Sequence, residues 1–114
     1  MNTLIDSLYD CSTKDSCKST VILLSYRTLL RDHPDNDIIR NNCLDYINRI
    51  KNRAVRKGPD HDKWCDTIIT ILEDAISGKF YEVNALLPLD KQADIRAYNG
   101  EFKELILFCL IIIF

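Results

Sequence analysis

Glycine and proline are scarce in this chain, with three residues of each among 114. They fall where one apolar segment gives way to the next: Pro34, Gly58, Pro59, Gly78, Pro88 and Gly100. Because both residue types interrupt helices, this spacing indicates a series of helices joined by short connections. Repeats, low-complexity segments and hairpin turns between alternating apolar residues are lacking. The sequence therefore predicts an all-α fold, a single domain over residues 1–114 that forms a bundle of five to seven helices.

Catalytic and metal-binding patterns are also lacking. Zinc sites need about four ligands, and the chain has no Cys-x-x-Cys pair. His61 and Cys65 lie four residues apart, so they could share a helix face as metal ligands or as a base and a thiol nucleophile. Without further ligands, a glycine-rich oxyanion loop or an orienting third residue, neither chemistry is complete. We predict that the protein is not an enzyme, and we expect no catalytic residue, no metal and no cofactor.

The chain does not begin like a secreted protein, and its charge is nearly balanced. Residues 1–10 lack the basic and apolar regions of a signal peptide. Five cysteines is an odd number, so free thiols in a reducing cytoplasm are the simplest expectation. The net charge of −2 argues against a chain built wholly to bind nucleic acid.

The third predicted helix is the most regular element. It runs from a cap at Asp35 or Asp37 to Lys57, with Gly58 just beyond its carboxyl end. Its inward stripe follows the helical repeat closely: Ile39, Cys43, Tyr46, Ile47, Ile50 and Ala54.

The other helices are predicted from the same periodicity. The first spans residues 3–10, and the second runs from a cap at Ser19 or Thr20 to residue 31. The fourth spans 62–77, with Trp64 on its inward stripe. Short helices are expected over 79–87 and from residue 90.

The third predicted helix also carries a cluster of basic residues. Arg49, Arg53 and Arg56 recur at spacings of four and three, and Lys57 lies one turn after Arg53. Clustered cations bind phosphates, so a nucleic-acid contact through these four residues is one interpretation. The other is a solvated face whose charges pair with acidic residues of the fourth predicted helix. We favour the second interpretation, because nucleic-acid modules usually have a basic balance overall.

The final segment, residues 105–114, has the sequence LILFCLIIIF and contains no charged residue. It is too short for a membrane span, which needs about 20 apolar residues. A helix that is apolar all round usually lies inside a core, so we expect the C-terminal helix to be central in the bundle. The β-branched residues 111–113 leave a buried strand as the alternative.

The apolar C-terminal segment favours protein binding. On a helix, Phe108 and Ile112 lie one turn apart and would meet a second copy across a two-fold interface. Tyr81 lies off the apolar stripe of its predicted helix and is a further candidate anchor for a partner. The predicted function is a non-enzymatic protein–protein interaction module, a small regulator or inhibitor that binds a partner or forms a homodimer. The alternatives are a nucleic-acid-contacting regulator that uses the basic residues of 40–57, and a membrane-associated protein that uses the C-terminal segment.

Overall fold

The computed structural model describes residues 2–14 and 18–93, and this part of the chain is all-helical. Its four long α-helices are α1 (Asn2–Ser12), α2 (Ser19–Asp32), α3 (Asp37–Lys51) and α4 (Pro59–Ile76). A short 3-10 helix follows at Asn84–Leu86. Residues 89–93 are also helical, where the sequence predicts a short helix from residue 90. The expected helical fold class is thereby confirmed for the described residues, whereas the expected C-terminal helix lies outside them.

The core lies where α4 packs against α2 and α3, with α1 packed on the same two helices. The largest fully buried side chains come from all four helices: Leu8, Leu23, Tyr26, Ile39, Cys43, Ile47, Ile68 and Leu72. Each helix therefore buries one apolar stripe, as the helical periodicity predicts. Within the described helices, none is long and apolar enough to cross a membrane.

Helix α3 ends six residues earlier than the sequence predicts. It stops at Lys51, and Ala54, expected on its buried stripe, is exposed. Arg53 Nη1 donates to the carbonyl of Ile50 at 2.6 Å and so satisfies one of the acceptors left open at the end of the helix. Gly58 is not the residue beyond the end of α3. With φ of +110° it is the N-cap of α4, which begins at Pro59.

The segment after α4 has mostly irregular structure, so the helix predicted over 79–87 is wrong apart from the 3-10 turn. Gly78, at φ +84°, ends α4 as predicted, and the Lys79 amide donates to the Asp74 carbonyl at 2.8 Å. Val83 and Leu87 are buried against the core, which holds the segment close to the helices. Burial of these side chains outweighs the local preference for helix.

The cysteines differ from one another. Cys43 and Cys65 are buried free thiols, as expected. Cys11 is disulfide-bonded, so the expectation of five free thiols is wrong for this residue. That expectation depended on an assumed reducing compartment, which residue spacing alone does not test.

Candidate functional site

A cleft of about 730 Å³ opens between the end of α3 and the start of α4, and we call it the cationic cleft. Its walls also include Thr13, Lys14 and Lys18 between α1 and α2, residues 53–55 and Lys57 after α3, and Lys91. Its basic lining residues are Lys14, Lys18, Arg49, Arg53, Lys57, His61 and Lys91. Its apolar lining includes the buried Ile22, Tyr46, Trp64 and Ile68. None of the described lining residues is acidic, so the cleft combines an apolar floor with a positive wall.

Arg49 is fixed on the α3 wall of the cleft by three contacts. It forms an ion pair with Asp45 one turn earlier on the same helix. Its guanidinium lies 5.1 Å from the centroid of the Tyr9 ring, and it donates to the Ser12 carbonyl at 3.3 Å. Helix α1 is thereby joined to α3 beside the cleft.

Arg53 and Asp62 form the most enclosed ion pair at the cleft. The Arg53 side chain is only 15% exposed, and its Nη2 donates to Asp62 Oδ1 at 2.6 Å. Arg56 Nη1 lies 3.4 Å from the same carboxylate oxygen. The hydrogen bonds from the two arginines hold the pKa of Asp62 below its ordinary value, and the Asp62 carboxylate raises the pKa of Arg53. The connection after α3 is held against the start of α4 by this pair.

His61 and Cys65 face each other one turn apart on α4. His61 Nδ1 lies 3.7 Å from Cys65 Sγ. Burial raises the pKa of the Cys65 thiol, which keeps it protonated and weakly nucleophilic. Burial, followed by the nearby Lys57 and Arg53, lowers the pKa of His61, so its imidazole is mainly neutral at pH 7. Among the described residues, no group of three His, Cys, Asp or Glu side chains could hold a metal ion.

Trp64 forms part of the floor and is held from two sides. Its Nε1 donates to Ser19 Oγ at 2.9 Å, which joins α4 to the start of α2. Lys91 Nζ lies 5.4 Å from the centroid of the indole ring. The indole is buried, so one face is covered by a cation and little aromatic surface is presented to a ligand.

The structure brings together only part of the basic cluster predicted from the sequence. Arg49, Arg53 and Lys57 line the cleft, whereas Arg56 does not line it and lies at the surface. The pairing with α4 that we expected is present, since Arg53 and Arg56 both contact Asp62.

Three further cations of the cleft are not predicted by the sequence: Lys14, Lys18 and Lys91. Each is far in sequence from α3, and only the packing of the helices brings them close to it. No local pattern of residues marks them.

Tyr81 is the predicted partner-binding residue that the structure describes, and it does not line this cleft. Tyr81 is half-buried, and its hydroxyl donates to Asp74 Oδ2 at 2.6 Å. That hydrogen bond raises the pKa of Tyr81. Tyr81 lines a smaller depression of about 260 Å³, together with Ile71 and Leu86. Phe108 and Ile112 lie outside the described residues.

No family model matches the chain, and neither a curated protein nor a solved structure matches it. The function is therefore inferred from the geometry of the cleft.

Proposed function

We propose that the protein is a non-enzymatic binding module that accepts an acidic segment of a protein partner in the cationic cleft. The observation that carries this proposal is the composition of the lining, with six lysine or arginine residues, an apolar floor and no acidic residue among the described ones. A peptide with alternating acidic and apolar side chains offers both kinds of contact. The volume of about 730 Å³ lies in the range of about 300–1,000 Å³ that is typical of ligand sites.

The distribution of charge favours a peptide over a nucleic acid. Nucleic-acid sites combine a long basic track with open aromatic rings on which bases stack. In the cleft, the Trp64 indole is buried and lies under Lys91. Arg49 and Arg53 already pair with Asp45 and Asp62, so part of their charge is neutralised inside the protein. A short acidic segment matches the remaining positive charge.

The chemistry of the cleft favours binding over catalysis. Cys65 is buried and its pKa is raised, while the neighbouring imidazole contacts the thiol without an acidic side chain to orient it among the described contacts. A thiol activated for attack requires the opposite, namely a lowered pKa and an oriented base.

Selection from a random peptide library against the intact protein tests this proposal. We expect enrichment of peptides in which Asp or Glu alternates with Leu, Ile or Phe, with binding that weakens as salt rises. The triple variant Lys14→Gln, Lys57→Gln, Lys91→Gln should lose most of this binding. Lys79→Gln, an exposed lysine beyond the end of α4, is the matched control and should bind as the parent does.

Two outcomes would contradict the proposal. Selected peptides without acidic residues would show that the positive wall is not used. Tighter binding to mixed oligonucleotides, abolished by the triple variant and unchanged by the control, would instead support the nucleic-acid alternative.

A further inference from the structure

We propose that one end of the cationic cleft, formed by Arg53, Lys57, His61 and Lys91, is a subsite for a phosphoryl dianion. This inference rests on the proposed function, because it assigns the phosphoryl group to a phosphorylated side chain of the acidic partner segment. We call these four residues the phosphoryl subsite.

The first observation is a hydrogen-bond donor on Arg53 that has no partner among the described residues. Its Nη1 donates to the Ile50 carbonyl and its Nη2 donates to Asp62, both at 2.6 Å. Its Nε is buried and has no hydrogen-bond partner within the part of the chain that the structure describes. A buried donor of a charged group is costly when it lacks an acceptor, so such groups in native proteins nearly always have a partner. Arg53 lines the cleft, so its guanidinium charge lies at the cleft wall, although Nε itself is not exposed to the cleft.

The second observation is the excess of positive charge around His61. The charged groups that act on its imidazole are Lys57 and Arg53 from the connection, Lys91 from the segment after α4, and Asp62 from α4 itself. Asp62 is already shared by Arg53 and Arg56, and within the described residues Lys57 forms no ion pair. Lys91 lies 3.9 Å from the exposed Asp90, a distance at the limit of an ion pair. The end of the cleft therefore keeps unneutralised positive charge.

A phosphate monoester fits this arrangement better than a carboxylate. At pH 7 it carries a charge of about −1.5 to −2 and three acceptor oxygens. Its three oxygens can accept from the ammonium groups of Lys57 and Lys91 and from an N–H of the His61 ring, and the negative charge of the phosphoryl group favours protonation of that ring. A carboxylate carries one charge and would leave the cluster positive. Phosphorylation of the partner segment would therefore increase binding.

The test has an arm that needs no partner. Inorganic phosphate is added to the intact protein, and the imidazole resonances of both histidines are followed by NMR across pH. Phosphate in the subsite should raise the pKa of His61 because the imidazolium gains an anionic neighbour. His33, at the end of α2 and not among the residues that line the cleft, is the internal control and should not shift. Lys57→Gln should reduce the His61 shift, whereas Lys79→Gln should leave it intact.

The second arm uses an acidic peptide obtained by the selection described above. It is synthesised with phosphoserine, glutamate or serine at each acidic position. At one position, phosphoserine should bind about tenfold more tightly than glutamate, which is the effect of one further charge-assisted hydrogen bond. The preference for phosphoserine over glutamate should disappear in His61→Gln and in Lys57→Gln. Neither substitution removes a member of the Arg53–Asp62 ion pair.

The outcomes separate this inference from the proposed function. Equal affinity for phosphoserine and glutamate, with no effect of phosphate on His61, would overturn the phosphoryl subsite and leave the acidic-segment proposal standing. Absence of any selected acidic peptide would overturn the proposed function. A His61 shift with phosphoinositide vesicles or nucleotides but no preference for phosphoserine peptides would overturn the assignment to a phosphorylated side chain.

Discussion

Single side chains determine how the charges of the cleft are arranged. Asp62 accepts from Arg53 and Arg56, and through them it holds residues 53–56 beside the first turn of α4. Asp45 forms an ion pair with Arg49 within α3 and so fixes the position of that guanidinium. The sequence indicated that the basic residues would pair with acidic ones, but it did not indicate which side of each guanidinium would stay open. That depends on the side-chain geometry, and on Arg53 it leaves Nε without an acceptor among the described residues.

Replacement of Asp62 by asparagine should lower stability and flatten its pH dependence. Because the folded pKa of Asp62 lies below its ordinary value of 3.8, this carboxylate contributes stability above that value. The contribution is lost as pH falls through the lowered folded pKa. In urea unfolding, the free energy of unfolding of the parent should fall as the pH is lowered into the acid range. Asp62→Asn should have a lower free energy of unfolding at neutral pH and should lose less of it in acid.

The control for this prediction is Asp66→Asn. Asp66 is exposed on the same helix and accepts no hydrogen bond from the described residues. It should keep the parent's stability at neutral pH. Equal effects of the two substitutions at neutral pH would contradict the role assigned to Asp62.

Ser25 carries a buried hydroxyl that makes no hydrogen bond within the described residues. Ser25→Ala removes this uncompensated polar group and replaces it with a better helix former, so the free energy of unfolding should rise by about 1 kcal/mol. Ser12→Ala is the contrasting variant, because Ser12 Oγ donates to the Tyr9 carbonyl at 2.6 Å. It should lower the free energy of unfolding by about 0.5–1 kcal/mol. Thermal and urea unfolding measure both, and a destabilised Ser25→Ala would show that its hydroxyl has a partner.

At the scale of elements, the spacing of apolar residues predicts which segments form the four long helices, but it predicts the ends of those helices less accurately. The four apolar stripes repeat every three to four residues, and burial of those stripes fixes which segments are helical. The ends depend on single contacts that periodicity does not contain. Helix α3 ends where Arg53 leaves the helix to reach Asp62, although residues 52–57 contain neither Gly nor Pro to indicate a stop.

The N-cap of α3 gives a direct test of this point. The sequence favours Asp35 or Asp37 as the cap, but the Asn36 side chain accepts from the amides of Ile38 and Ile39 at 3.0 and 3.1 Å. Asn36→Ala should lower the free energy of unfolding by about 1 kcal/mol. Asp35→Ala, whose exposed side chain makes no hydrogen bond within the described residues, should change it by less than about 0.5 kcal/mol. A larger loss of unfolding free energy in Asp35→Ala than in Asn36→Ala would show that the Asp35 carboxylate is the N-cap.

At the scale of the whole molecule, the helical class was predictable and the cleft was not. Helical class follows from patterns within about twenty residues, which a sequence displays directly. The cleft joins Lys14, Arg49, His61 and Lys91, so its existence depends on how the helices pack. The sequence identified the basic cluster near the end of α3 and the His61 and Cys65 pair one turn apart on α4, because both are local patterns.

Self-association remains a prediction for the whole molecule, and the described surface adds an argument for it. Leu86 and Leu89 follow Tyr81 closely in sequence and are 52% and 83% exposed. Leu86 and Tyr81 line the same depression. Exposed apolar side chains that cluster in this way often mark interaction surfaces. Together with the uncharged 105–114 segment, they offer apolar area for a two-fold interface.

We therefore expect the parent to sediment as a dimer at micromolar concentrations. The double variant Phe108→Ser, Ile112→Ser should shift it toward monomer, because polar hydroxyls at the centre of such an interface lose apolar burial. Leu86→Ser provides a second test that does not depend on the C-terminal segment, since a half-exposed side chain can be replaced without removing a core residue. Leu44→Ser, on an exposed part of α3, is the control and should leave the dimer intact. A parent that stays monomeric throughout this range would exclude the homodimer, and the cationic cleft would then have to act within a single copy of the chain.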